Sequence, residues 1–312
     1  MTVILKKIKK IHKATFAVNP PFPKGINVEL NNVCNHKCNF CAYQFMRRKA
    51  GNIDIINLEK WLIEAYKLGT REIGLHSGAE PLASKYLEHF IKFSKKVGYE
   101  YTYFSTNGTL ATTERLRRII DSGIDSIKFS INAGTKEMYK KVHGKDQFDI
   151  AIKNLIEVSK YRKVSKPYLA ISFVKTEQNK STISNLKKLT QNYVDEFVVV
   201  EKENQSGQMV NSNEQREFEN KTCGIPFNKI HISMEGYLRI CCNDYENLLA
   251  VVDLKNVKSL KDAYYSKPMR EFRQRHLSDN LKGTLCYNCL NNCNEPVKPL
   301  NPSLTPFWKD QS

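Results

Sequence analysis

Residues 26–41 read Ile26-Asn27-Val28-Glu29-Leu30-Asn31-Asn32-Val33-Cys34-Asn35-His36-Lys37-Cys38-Asn39-Phe40-Cys41. A short run with strand character is followed at once by a loop carrying three cysteines, and the run is the first of a series. Working outward, strands are expected at Ile26–Leu30, Glu72–His76, Tyr101–Ser105, Ser126–Ile131, Tyr168–Val174 and Phe197–Glu201. Amphipathic helices are expected between them, around Leu58–Leu68, Lys85–Lys96, Thr113–Ser122, Phe148–Tyr161 and Ile183–Tyr193. Repeated β-α units predict an α/β fold with a parallel sheet, open or curved into an incomplete barrel. Such folds hold ligands at the C-terminal ends of their strands, which is where the cysteine loop falls.

Composition narrows the class. The chain has 312 residues, 41% of them hydrophobic, with 49 Lys+Arg against 32 Asp+Glu for a net charge of +17. That length supports a buried core and excludes collagen-like, disordered and disulfide mini-protein classes. No apolar run approaches the roughly 20 residues of a membrane span, and the start Met1–Lys7 is too short for a signal peptide, so a cytoplasmic protein with no membrane partner is expected. Thiols stay reduced there, so nine cysteines in groups point to metal or chemistry rather than disulfides. Six lysines and no acid occupy the first 25 residues, and the remaining surplus is spread along helices such as Lys85–Lys96 and Arg115–Arg118. With no aromatic-interleaved basic motif, the charge reads as solvated surface, and no nucleic-acid partner is expected.

Periodicity stops at Asn204. The expected organisation is a basic extension over 1–24, the β-α region over 25–204, a polar linker over 205–222, a second unit over 223–293 and a Pro-rich tail over 294–312. The second unit holds a hairpin, Lys229–Met234 and Tyr237–Cys241 around Glu235-Gly236, then a helix near Leu260–His276.

Cys34, Cys38 and Cys41 form C-x3-C-x2-C. A [4Fe–4S] cluster used only for electron transfer takes four protein ligands, whereas three leave one iron open to a substrate or cofactor. The competing reading is a zinc knuckle, with His36 or a remote residue as fourth ligand.

These residues resemble the signature C-x3-C-x-φ-C of the radical S-adenosylmethionine (SAM) superfamily, with Phe40 as the aromatic. Three further strand ends carry the likeness. Ser77-Gly78-Ala79-Glu80-Pro81 is similar to the family's G-G-E-P stretch, with Ala79 in place of the second glycine; Ser105-Thr106-Asn107-Gly108 resembles its T-N-G; Ser130-Ile131-Asn132 resembles its S-x-D/N. The resemblance implies a partial (β/α)6 TIM-like barrel with a [4Fe–4S] cluster on Cys34, Cys38 and Cys41. It implies SAM bound by Phe40, Gly78, Ala79, Glu80, Asn107, Ser130 and Asn132, with Glu80 on the SAM amino group and the S-x-N segment on the ribose. It also implies reductive SAM cleavage to a 5′-deoxyadenosyl radical, and an electron donor such as flavodoxin or ferredoxin. Each secondary match also has a bland meaning as a turn or a cap.

The remaining cysteines are Cys223, Cys241, Cys242, Cys286, Cys289 and Cys293. The G-x4-C step ending at Cys241 and the C-x2-C pair Cys286/Cys289 resemble the SPASM/Twitch extension of radical SAM enzymes. This implies a small C-terminal α+β iron–sulfur domain with a second, auxiliary [4Fe–4S] cluster on Cys223, Cys241, Cys286 and Cys289. A single zinc on the same four is the alternative. Neighbours on a strand point to opposite faces, so one of Cys241 and Cys242 is spare. Cys242 or Cys293 would then return a hydrogen atom in an epimerase, or pack as a small apolar side chain. Acid/base candidates at the strand ends are Tyr43, His76, Lys175 and Glu201. The expected reaction is oxidation or epimerisation of a polar small molecule of sugar or cyclitol type, because a fully ligated auxiliary cluster suits an electron acceptor. A peptide or protein maturase is the other enzyme class; the 33 residues before Cys34 are few for the leader-recognition domain many maturases carry. A non-catalytic nucleic-acid binder leaves Glu80 and the strand-end motifs without a role.

Overall fold

Six strands run parallel in chain order: β1 (Gly25–Val28), β2 (Glu72–Gly74), β3 (Tyr101–Thr106), β4 (Ser126–Ser130), β5 (Tyr168–Lys175) and β6 (Glu196–Glu201). The computed structural model describes residues 14–163, 166–209 and 222–305. Much of the expected basic extension, most of the expected linker and the end of the tail lie outside these residues. Helices α1 (Ile55–Lys67), α2 (Leu87–Val97), α3 (Thr113–Asp121), α4 (Lys136–His143), α5 (Phe148–Tyr161) and α6 (Ile183–Thr190) connect the strands. Local chemistry sets their ends. Asp54 accepts from Asn57 N at 2.8 Å to start α1, Thr135 accepts from Met138 N at 3.2 Å to start α4, and Gly144 at φ 70° closes α4.

The sequence reading had no element at 136–143, yet Thr135 and Gly144 bracket a helix there. The second unit also differs from expectation. Its first strand, β7 (Lys229–Ile232), continues the barrel sheet by pairing parallel to β1, with Ile26 opposite Ile230. The antiparallel strands β8 (Tyr237–Arg239) and β9 (Ala250–Asp253) follow, so the nine-stranded sheet has the order β6-β5-β4-β3-β2-β1-β7-β8-β9. The hairpin strand stops at Arg239, beside an irregularity between Leu238 and Arg239, so Cys241 and Cys242 leave the sheet and enter a turn. The helix expected over Leu260–His276 is two helices, α8 (Leu260–Tyr264) and α9 (Lys267–Leu277), because Pro268 lacks an N–H and fits only a first turn. Two short helices complete the unit, α7 (Ile225–Asn228) and α10 (Leu285–Asn291). No helix among the described residues is long and apolar enough to cross a membrane.

Most strands place apolar and polar side chains on opposite faces. Ile26, Val28, Ile73, Phe104, Ile127, Phe129, Leu169, Ile171, Phe173, Ile230 and Ile232 are buried in one core cluster with helix residues such as Leu62, Ile91 and Leu155. Burying these side chains is the main stabilising term, at about 25 cal/mol per Å² of apolar surface. The opposite, concave face carries Asn27, Tyr103, Ser126, Lys128, Ser130, Tyr168, Lys229 and His231. Parallel strands covered by helices on both faces are apolar throughout, so a polar alternate face marks a surface built to meet something other than helices.

Candidate functional site

The cysteine loop follows β1 and is held by its own backbone. Cys34 N donates to the Tyr43 hydroxyl at 2.7 Å, and Tyr43 donates to Asn32 O at 3.4 Å. Lys37 N and Asn39 N donate to the last carbonyls of α4, His143 O and Val142 O, at 3.3 and 3.0 Å. Tyr43 therefore clamps the loop. Burial, with Glu80 and Cys41 adding to it, pushes the Cys34 thiol up to about 12; burial, with Cys41 and Cys34, pushes Cys38 well above the ordinary thiol range. Both thiols keep their protons until a metal displaces them.

His143 meets Cys38 Sγ through Nδ1 at 3.1 Å, and Asn132 N lies 3.3 Å from its Nε2. The backbone N–H can only donate, so Nε2 accepts and Nδ1 carries the proton that points at Cys38. Burial, with His36 nearby, pulls the imidazole down to about 3, which keeps it neutral. The ligand atoms of His36, Cys38 and His143 lie within 4.8 Å of one another. His36 is 1% exposed and shares a 3.0 Å hydrogen bond with Gln147. Since both His143 nitrogens are engaged, His143 serves Cys38 as a donor.

Glu80 is buried at the end of β2. Its Oε1 accepts from Thr106 Oγ1 at 2.5 Å and Leu82 N at 3.0 Å, and its Oε2 from Asn107 N at 2.8 Å. Burial outweighs these bonds and raises its carboxyl. Asn107 Nδ2 donates to Asn35 Oδ1 at 2.8 Å, tying the β3 end to the cysteine loop. A Cβ at Gly78 would meet the Tyr245 ring at 2.8 Å, so this glycine is required by an aromatic from the second unit. Ala79 sits beside it, half-buried. Phe40 packs edge-on against His143 at 5.8 Å. Asn132, fully buried, accepts from Val174 N at 2.7 Å and donates to Ser130 Oγ at 3.2 Å; Ser130 alone of the pair keeps exposure.

A buried charge network joins the units. Arg48 donates to Glu29 Oε1 at 2.8 Å and to both Glu235 oxygens at 2.9 Å. Arg239, 1% exposed, reaches Ser77 Oγ at 2.5 Å and Glu29 at 3.4 Å. Burial alone would raise Glu29, but Arg239 and Arg48 outweigh it and hold its carboxyl below the usual range.

The second thiol group gathers around α10. Cys286 and Cys289 lie three residues apart on one helix face, started by Thr284. Burial, then Cys223 and Cys289, pushes Cys286 well above the thiol range; the Cys242 hydrogen bond, then burial, does the same to Cys241, with Cys286 adding to it. Cys241 and Cys242 share a side-chain hydrogen bond that lowers Cys242 to about 7, helped by Lys229 and Arg239. The expectation of opposite faces assumed strand geometry, which ends two residues earlier. Cys293 Sγ donates to Asn288 Oδ1 at 3.4 Å.

On the concave face, Lys229 Nζ donates to the Tyr103 hydroxyl at 2.8 Å and Tyr103 donates to Asn27 Oδ1 at 3.2 Å, a chain that passes over Gly74. His76 sits edge-on to Tyr103 at 5.4 Å, and burial with Lys128 and Lys229 pulls it down to about 3. His76 Nδ1 and both His231 nitrogens are buried with no hydrogen-bond partner among the described residues. Lys175 and Glu201 instead form a 2.5 Å ion pair at the sheet edge, their side chains 37% and 61% exposed. The sequence reading missed His143, Tyr245, Lys128, His231 and the Glu29–Arg48–Arg239 network. Only His143 had a local signal, the bracketed helix before Gly144.

A Radical SAM superfamily model matches residues 28–204, more than half of the chain, and an iron-sulfur cluster-binding domain model, SPASM, matches 223–290. An uncharacterised protein of Methanocaldococcus jannaschii is 32% identical over 186 residues, 56% of this chain and 60% of that protein. A probable GTP 3′,8-cyclase of Saccharolobus solfataricus is 27% identical over 182 residues, 57% and 56% of the two chains. The chain thus spans somewhat over half the length of these relatives. The structure of BtrN in complex with AdoMet and 2-DOIA matches with TM-score 0.61 at 18% identity, over 91% of this chain and 99% of that one. Streptococcus suis SuiB bound to precursor peptide SuiA matches with TM-score 0.67 at 17% identity, over 94% and 74%. These likenesses show the fold, the partial barrel with its C-terminal unit. The two domains imply SAM and [4Fe–4S] clusters, and the donor sets fit: free thiols gathered in two groups, a soft ligand set suited to iron–sulfur ligation. By the extent and order of these matches, the chain belongs to the radical SAM superfamily and carries a C-terminal iron–sulfur cluster-binding domain of the SPASM type.

Proposed function

We propose that the chain is a radical SAM oxidoreductase that takes hydrogen from a carbon of a polar small molecule of sugar or cyclitol type and oxidises it. The observation that carries this reading is the concave face, where neutral His76 and His231 present buried, unpaired nitrogens beside Tyr103, Lys128 and Lys229. Buried polar groups without partners are costly, so this face suits a ligand rich in hydroxyls that supplies both donors and acceptors. When bound, the cluster on Cys34, Cys38 and Cys41 and its SAM supply a 5′-deoxyadenosyl radical, and the cluster on Cys223, Cys241, Cys286 and Cys289 supplies an electron acceptor. The protein orients and excludes water. Glu80, aligned by three donors, takes the SAM ammonium, Asn107 fixes the loop beside it, and Ser130 rather than the fully engaged Asn132 meets the ribose. A flavodoxin or ferredoxin is the electron donor.

Glu80→Gln should weaken SAM binding about tenfold or more, because a charge-assisted bond worth roughly 1.5–3 kcal/mol becomes a neutral one. Iron content should be unchanged. Calorimetric SAM affinity equal to wild type would remove Glu80 from the amino-group role.

The substrate is tested by incubating loaded enzyme with deuterated candidates and following deuterium into 5′-deoxyadenosine. Transfer from a sugar or cyclitol supports the reading; transfer only from a nucleotide or a peptide, the ligands named for GTP cyclases and SuiB, replaces it. Epimerisation is a second reading, favoured by the position of Cys242 among the barrel cations. It requires solvent deuterium in a redox-neutral product, lost in Cys242→Ala. Under oxidation that variant should be nearly harmless.

A further inference from the structure

Tyr245 belongs to the second unit, yet its hydroxyl, ring and carbonyl all contact the first. It is 5% exposed, its hydroxyl lies 3.5 Å from Cys41 Sγ, its ring fills the space over Gly78, and its carbonyl accepts from Arg48 Nε at 2.6 Å. The same hydroxyl donates to Gln205 Oε1 at 2.7 Å. Gln205 is presented by an unusual stretch of backbone: Gln205, Ser206 and Gly207 all have left-handed φ, at 48°, 61° and 79°. Two of the three are not glycine, so the conformation is strained and needs tertiary contacts to hold it. Those contacts come from α10. Asn204 Nδ2 donates to Cys289 O at 3.0 Å, and a Cβ on Gly207 would meet Asn288 Cβ at 2.4 Å and Cys293 O at 2.5 Å. A continuous path therefore runs from Cys41 through Tyr245, Gln205 and Asn204 to the helix that bears Cys286 and Cys289.

The direction of the first bond follows from the chemistry of sulfur. The Tyr245 hydroxyl has a single proton, so while it donates to Gln205 the bond to Cys41 has the sulfur as donor. As an iron ligand Cys41 is a thiolate and has no proton to give, so the hydroxyl must turn to donate to Sγ. Gln205 can follow, since a rotated amide offers N–H to the same oxygen. A hydrogen bond to a ligating sulfur draws charge from it and favours the more negative, reduced cluster.

We propose that Tyr245 is a positioning residue whose hydroxyl, held by Gln205 and α10, donates to Cys41 and raises the reduction potential of the SAM-binding cluster. Through this contact the auxiliary unit sets the ease with which the first cluster accepts an electron. The proposal rests on reading Cys34, Cys38 and Cys41 as cluster ligands.

The test is an EPR-monitored redox titration of the loaded, full-length protein without substrate. Tyr245→Phe keeps the ring over Gly78 and removes only the hydroxyl; the SAM-cluster midpoint should move to more negative potential while the auxiliary midpoint stays. Gln205→Glu leaves the ring untouched and offers a stronger acceptor for the hydroxyl proton, so it should move the same midpoint in the same direction. A merely structural role predicts an unchanged midpoint in Tyr245→Phe and a disturbance only in Tyr245→Leu. Wild-type potentials in both Tyr245→Phe and Gln205→Glu would overturn the proposal. Wild-type protein that loads iron but shows no signal lost on replacing the three loop cysteines would instead overturn the ligand reading beneath it.

Discussion

Replacing Cys34, Cys38 and Cys41 together by Ala is expected to abolish SAM cleavage and to lower iron from about eight to about four per chain after anaerobic reconstitution. The loss should be selective. The loop is held through backbone and neighbouring side chains, by Tyr43 on Cys34 N and by α4 carbonyls on Lys37 N and Asn39 N, none of which uses a cysteine side chain. The remaining four iron would sit on Cys223 just before α7, Cys241 beyond β8 and the α10 pair Cys286 and Cys289, elements that the loop does not build. The readouts are iron and sulfide content, visible absorbance and 5′-deoxyadenosine formation. Wild-type iron near four per chain with stoichiometric zinc would sink the auxiliary cluster, and undiminished iron in the triple variant would sink the loop as a cluster site.

Arg48→Ala should be strongly destabilising, costing about 3–5 kcal/mol by the usual cost of stranding a buried charge. Glu29 is 1% exposed, and its carboxylate is ionised only because Arg239 and Arg48 outweigh the burial penalty. Removing Arg48 also takes its donors from the Glu235 carboxylate in the hairpin turn and from the Tyr245 carbonyl, ties that join the second unit to β1 through Glu29. The pH dependence has a sign. In the wild type the folded pKa of Glu29 is depressed, so its pairing stabilises above the ordinary carboxylate pKa and is lost as pH falls through the folded value. In the variant that pKa moves up, so the deficit relative to wild type is largest near neutral pH and shrinks on acidification. Urea midpoints at pH 7 and pH 5 measure this; an equal deficit at both would assign the loss to packing rather than to charge.

Much of the fold is legible because periodicity is local. Each of the six barrel strands sits where its alternating run placed it, although β2 is only Glu72–Gly74 and β6 starts at Glu196. The three-cysteine loop, Glu80 and the T-N-G stretch stand at strand ends for the same reason: a β-α unit of ordinary length must expose its loop at that edge. Failures came where a tertiary partner outvoted local pattern. Cys241 looked like a strand residue by alternation from Tyr237, but the sheet ends where Arg239 turns inward to meet Ser77 and Glu29. The stretch after Asn204 looked like free linker by composition, yet Asn204, Ser206 and Gly207 are buried against α10.

The sequence by itself determined the β-α order, the thiol groups and the chemistry they suit, since side-chain period and ligand spacing are properties of neighbouring residues. Only the tertiary structure decided that β7 joins β1, that His143 presents its Nδ1 proton to Cys38, and that Tyr245 lies between Gly78 and Cys41. These contacts join residues 105 to 204 positions apart in the chain. Hydrogen-bond direction and burial at such distances depend on which elements pack together, and no local pattern of residues encodes that.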